Sequence, residues 1–226
     1  MSLLSKVVLR LSLVLILAVA LLFIPAGSWK FWQGWAFLGE SFIPSILAYL
    51  YFYKHDRQLL ERRLQSKEKV HEQKLLITAA KPFFLVALVI PGLDYRWGWS
   101  RTLLGGVPLW LTLLCQVLVL GGFLMVFWVM KVNSFASRTI QVEAGQKVIS
   151  TGPYSMVRHP LYSGSLVMWL AVPLALGSYI AWPAFALLIP FYVFRLLNEE
   201  KVLCQDLPGY SEYCQRTRFR LVPLIW

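Results

Sequence analysis

Six apolar runs divide this chain, at roughly Val7–Ile24, Phe31–Tyr53, Leu75–Pro91, Val107–Met130, Leu161–Leu176 and Ile180–Leu197. Each is near the ~17–25 residues with which a helix crosses about 30 Å of hydrocarbon. Backbone in lipid must satisfy its own N–H and C=O groups, and no strand pattern is present, so these runs predict helices. The expected class is all-α: a polytopic integral membrane protein of about six transmembrane helices. Composition agrees, since the 226 residues are 58% hydrophobic and 15% charged, against about a quarter charged in soluble domains.

The first run follows Lys6 and Arg10, as in a signal peptide. Pro25-Ala26-Gly27 makes a poor cleavage site, however, and the run reads as a retained first helix. Charge orients the rest. The stretch 54–74 carries Lys54, Arg57, Arg62, Arg63, Lys67, Lys69 and Lys74, and looks like a polar, helix-prone connector against headgroups. Lys131, Arg138, Lys147 and Arg158 follow in 131–160, and Lys201, Arg216, Arg218 and Arg220 in the tail, while the intervening loops are poor in positive charge. This alternation places both termini in the cytoplasm. Without eukaryotic retention signals, a bacterial inner membrane is the expected location. A single membrane domain, 1–226, is expected, with N-terminal transmembrane helices in 1–130 and the chemistry in 131–226.

A net charge of +11 also suits nucleic acid, but these cations sit in loops between apolar runs, where anionic headgroups attract them. Membrane lipids, not nucleic acid, are the expected partners. Cys115, Cys204 and Cys214 have no CxxC or ligand spacing, and no metal site is expected.

The last two runs are joined by little more than Gly177-Ser178-Tyr179, which favours an antiparallel helical hairpin. Such a hairpin brings the stretch TGPYSMVRHPLYSG, residues 151–164, to the depth of Glu199 and Glu200. Paired carboxylates gain nothing from anionic headgroups and need another partner. One histidine with two adjacent carboxylates falls short of a zinc or iron ligand set. No GxSxG elbow and no GxGxxG after a strand occurs. Glu40, within the second run, is costly at that depth; a structural ion pair, with Lys81 in the third run as its candidate partner, or a protonated Glu40 is expected ahead of a catalytic role.

The segments VISTGPYSMVRHPLYSG and RLLNEEKVLCQDLPGYSEYCQRTRFRLVP, separated by an apolar hairpin, resemble the C-terminal half of the isoprenylcysteine carboxyl methyltransferase family. That family stands with the phospholipid methyltransferases among membrane enzymes that use S-adenosylmethionine. The likeness covers about residues 133–224 and joins GPY, RHPxY, EE and PGYxxY in order. It implies a cytoplasmic pocket for S-adenosylmethionine under the hairpin. His159, Pro160 and Tyr162 would contact the cofactor, with Gly152, Pro153 and Tyr154 shaping the wall. Glu200 and Glu199 would meet its cationic groups, and Arg158 suits its carboxylate. Arg216 would hold a substrate carboxylate, and Arg216 and Glu200 form the implied catalytic pair.

The implied acceptor is a lipophilic small molecule or lipidated substrate, foremost an isoprenylcysteine-type carboxylate. A phospholipid amine or a thiol stays open. A different class, NADPH-dependent sterol reductases, shares a similar C-terminal hairpin. Those enzymes typically have Asn where Pro160 stands and an acidic residue where Ser165 stands, which counts against them. A non-catalytic membrane scaffold is the third reading.

Overall fold

A computed structural model describes residues 2–64, 71–136, 142, 143 and 145–226, apart from the side chains of 71–77 and 79. Parts of the expected 54–74 connector, with Lys67, Lys69 and the Lys74 side chain, lie outside the described residues, as does Arg138. The described residues form ten α-helices and no strand. They are α1 (Leu3–Ala26), α2 (Trp32–His55), α3 (Arg57–Leu64), α4 (His71–Trp97), α5 (Trp99–Leu104), α6 (Leu109–Val132), α7 (Pro160–Ala175), α8 (Trp182–Ala186), α9 (Leu188–Asp206) and α10 (Tyr210–Arg216). A 3-10 turn, Gly152–Ser155, precedes α7.

All six apolar runs fall on helices, but they are not equivalent. Among the described residues α1, α2 and α6 are long and apolar enough to cross a membrane. Their side chains face outward, with Ile16 66%, Trp110 66% and Val117 65% exposed, a surface suited to lipid rather than water. The fifth run forms α7, whose 16 residues rise about 24 Å. The sixth is broken between α8 and α9. Pro190, in the first turn of α9, has no N–H for the Ala186 carbonyl and its ring crowds that oxygen.

α6 and α7 form the closest pairing, with α1 against α4 and α2 against α6 beside it. The α6–α7 contact depends on two glycines. A Cβ on Gly122 would lie 2.6 Å from Met168 Cβ and 2.8 Å from the Gly164 carbonyl, and one on Gly164 would lie 2.9 Å from Met125 Cγ. Small residues at such crossings let helix backbones approach in an apolar medium.

At the end of the bundle away from residues 151–164, buried Asp94 of α4 binds three groups. It accepts from Ser100 N–H (2.7 Å) and from the hydroxyls of Ser100 and Ser178. Ser100 Oγ accepts in turn from the backbone N–H of Tyr179, at 2.8 Å, and Ser178 Oγ from that of Ala181, at 3.1 Å. One carboxylate therefore ties α4 and α5 to the turn between α7 and α8. The expected Glu40–Lys81 ion pair is not formed: Glu40 Oε2 is buried with no hydrogen-bond partner among the described residues, and Lys81 lines a cavity elsewhere. Side chains on separate helices meet only where the packing rotates both inward, and here it does not.

The α6–α7 contact predicts that Gly122→Ile lowers stability by about 1–3 kcal/mol through overpacking. Thermal unfolding in detergent should show a lower Tm than wild type. Gly121→Ala, where an added Cβ meets nothing within 4 Å, should leave it unchanged.

Candidate functional site

Pro160 opens α7 at a position where a helix needs no N–H, and His159 stands before it as the N-cap residue. The chain's tail docks along this entry. Arg158 N–H donates to the Phe219 carbonyl (2.8 Å), His159 N–H to that of Arg220 (3.0 Å), and Ser163 Oγ to that of Leu221 (2.6 Å). Tyr213 donates its hydroxyl to the Tyr154 carbonyl at 2.7 Å. The 3-10 turn begins at Gly152, whose φ of +59° strains any other residue, and buried Pro153 follows.

Glu200, near the end of α9, collects two guanidinium groups and an imidazole. Its Oε1 lies 3.1 Å from Arg158 Nη1 and 3.3 Å from His159 Nε2, and its Oε2 lies 2.8 Å from Arg220 Nε. Burial raises the pKa of this carboxyl, but the His159 and Arg220 hydrogen bonds and the Arg158 charge outweigh it. The group is held at about 2 instead of 4.5. Tyr210 Oη adds a contact of 3.5 Å to His159 Nε2. Burial raises the pKa of both Tyr210 and Tyr213, and raises that of Tyr154 to about 12.

Glu199 is turned about 100° around the same helix and faces elsewhere. It accepts the Tyr162 hydroxyl proton, while Arg195 Nε donates to that hydroxyl at 3.0 Å. Arg195 and Glu199 are four residues apart, one turn of α9, so both reach Tyr162 from the same side.

Two cavities meet here. The first, about 110 Å³, is the more polar of the two, with about half of its lining polar, and is bordered by Tyr154, Arg158, His159, Pro160, Tyr162 and Glu199. Asn133 and Lys147 also border it, and Asn133 Nδ2 donates to Tyr154 Oη at 2.8 Å. The second, about 630 Å³, is mostly apolar and lies among α1, α4, α7 and α9. Leu161, Tyr162 and Arg195 line both.

The structure thus gathers Tyr154, Arg158, His159, Pro160, Tyr162 and Glu199 around one opening. Gly152 and Pro153 lie behind it, and Glu200 supports it without lining it. Arg216 is exposed on α10 and lines neither cavity; the tail arginine that reaches a carboxylate is Arg220. Sequence reasoning gave no role to Arg195 or Asn133. The i,i+4 spacing of Arg195 and Glu199 was the available clue to the first. Asn133 lies far from the motifs in sequence and carried none.

Residues 110–207 match the phospholipid methyltransferase family. The match starts earlier than the motifs do, taking in α6, and stops before the tail. A 91-residue stretch is also 33% identical to the Delta(14)-sterol reductase TM7SF2 of Mus musculus, covering 39% of this chain and 22% of that protein. The likeness thus spans about a fifth of the reductase.

The carboxyl of Glu200 is ionised in the folded protein well below its ordinary pKa. Its contribution to stability is therefore present at neutral pH and is lost as the pH falls from about 4.5 towards 2. Glu200→Gln should cost about 1–3 kcal/mol at pH 7, because half-buried Arg158 loses its carboxylate partner. Tm measured from pH 7 to pH 3 should fall less steeply for this variant than for wild type.

Proposed function

We propose that the chain, whose residues 110–207 match the phospholipid methyltransferase family, is a membrane methyltransferase that uses S-adenosylmethionine to methylate a lipophilic acceptor. The observation that carries this reading is the junction of a polar and an apolar cavity at Tyr162 and Arg195. Two substrates of opposite polarity require such a junction. The resemblance seen in the motifs and the family match point the same way.

The residues around the polar cavity fit S-adenosylmethionine. Glu199 offers a carboxylate to its cationic groups, and the rings of Tyr154, Tyr210 and Tyr213 offer π faces to a sulfonium. Arg158 Nε is buried and has no hydrogen-bond partner among the described residues, which leaves a donor for the carboxylate of the cofactor. At about 110 Å³ the cavity is below the ~300–1,000 Å³ of small-molecule sites, so binding in this reading requires its walls to part.

When bound, the cofactor supplies an electrophilic methyl group. The chain's own task is to align the acceptor with it and exclude water. Glu200 acts as a positioning residue: it holds His159 and Arg158 against the tail, and Pro160 fixes where α7 begins. A carboxylate acceptor needs no base at neutral pH, which favours isoprenylcysteine-type O-methylation. A phospholipid amine would have to lose a proton, with Glu199 as the nearest base. Residues 131–226 carry this chemistry, and 1–130 supply the membrane scaffold and one side of the apolar cavity. In this reading the motif face and both termini lie in the cytoplasm, which the positive charge of the loops supports, and the membrane is a bacterial inner membrane.

A second reading rests on the 33% identity to a sterol reductase over 91 residues: an oxidoreductase that takes NADPH in the same opening. Calorimetry on detergent-purified protein separates the two. S-adenosylmethionine and its demethylated product should bind, and Glu199→Gln and His159→Ala should each weaken binding tenfold or more, about 1.4 kcal/mol. Binding of NADPH without S-adenosylmethionine would establish the reductase reading instead.

A further inference from the structure

The tail beyond α10 turns towards the bundle. Its Phe219 and Arg220 carbonyls meet the N–H groups of Arg158 and His159, and its Leu221 carbonyl meets Ser163 Oγ, one turn into α7. Each step thus carries the tail further along α7. Residues 221–226 then close on themselves as a hook. Leu221 and Val222 N–H donate to the Trp226 main-chain oxygen at 2.9 and 3.0 Å, and Ile225 and Trp226 N–H to the Val222 carbonyl at 3.2 and 3.1 Å. Pro223 has no N–H to satisfy. A turn that meets its own donors in this way suits a medium poor in water.

The side chains of the hook divide by direction. Leu221 is buried, and Trp226 packs with it against Tyr162 and Leu196. Leu224 and Ile225 point the other way, 86% and 79% exposed, the highest values among the described large apolar residues. Leu224 also holds a φ of +66°, in the left-handed region where glycine relieves the backbone. An apolar side chain kept at a strained position gains nothing in water and gains its transfer free energy in hydrocarbon.

Charge points to the same surroundings. Residues 216–226 hold three arginines and no acid. Arg216 and Arg218 are exposed, beside the apolar tip, an arrangement that complements a bilayer surface with anionic headgroups. Arg220 faces inward: its Nε donates to Glu200 at 2.8 Å, and its guanidinium lies over the Trp226 ring, 5.3 Å from the centroid.

We infer that residues 221–226 are a membrane hook. It inserts Leu224 and Ile225 into the bilayer interface, sets Arg216 and Arg218 on anionic headgroups, and so holds the tail against the entry of α7. Trp226, Arg220 and Glu200 connect that lipid contact to Arg158 and His159. The hook is independent of which reaction the site performs.

The test uses the full chain in nanodiscs of phosphatidylcholine alone, or of equal parts phosphatidylcholine and phosphatidylglycerol. A photoreactive p-benzoylphenylalanine replaces Leu224 or, as a control, Asp206, which is exposed at the outer end of α9. After irradiation, lipid adducts should be at least tenfold more frequent at position 224 than at 206. Their yield at 224 should rise twofold or more with phosphatidylglycerol, and Arg216→Gln with Arg218→Gln should abolish that rise. Leu224→Asp with Ile225→Asp should speed hydrogen exchange of the Arg158 and His159 amides tenfold or more. If that variant does not fold, Leu224→Ser with Ile225→Ser takes its place. Adducts no more frequent at 224 than at 206, or adducts to a second copy of the chain in place of lipid, overturn the inference. Equal yields in the two lipids overturn the part given to the arginines. Unchanged exchange in the folded variant overturns the hold on α7.

Discussion

A single carboxylate, that of Glu200, organises the motif end of this molecule. It draws Arg158 and His159 from the entry of α7 and Arg220 from the tail onto the last turns of α9. These groups come from three parts of the chain more than forty residues apart at the widest. Of these, Arg158 and His159 border the polar cavity. Buried ion clusters of this kind contribute little to net stability compared with apolar packing, but they tolerate few alternative arrangements. That property is valuable where geometry must be fixed at the edge of a membrane.

Adjacent glutamates on one helix divide two tasks by direction. Glu200 turns towards the tail and is saturated by cations, while Glu199 turns towards Tyr162 and the opening. Tyr162 stands between Glu199 and Arg195, and so between a polar space and an apolar one. With Leu161 and Arg195, it belongs to both walls. The arrangement explains why a double acid at the end of an apolar helix is not redundant.

Much of this was legible in the residues themselves. The apolar runs announced helices because lipid leaves the backbone no alternative, and all six runs became helical. The RHP and EE motifs were expected to meet, since a short turn between two apolar runs returns the chain to its starting depth. The limits were equally physical. Pro190 breaks the last run, a one-residue effect that mean apolarity hides. Three tail arginines, Arg216, Arg218 and Arg220, are close in sequence, and which one reaches Glu200 depends on where α10 ends. That helix stops at Arg216, and the extended backbone beyond carries Arg220 inward. The contribution of Arg63 and Lys81 to a shared cavity depends on how the N-terminal helices pack, which periodicity along one helix does not encode. Asp94 gave no warning either, because its partners, Ser100 and Ser178, are common residues in loops.

Asp94 has a mechanical consequence. It fastens α4 to the α7–α8 turn at one end of the bundle, while the apolar cavity lies between α4 and α9 nearer the other. Two levers joined at one end part most widely at the other. Were α4 and α9 to part, the serine-clasped carboxylate would act as the pivot of a clothes-peg, and the gap would be widest towards the motif face.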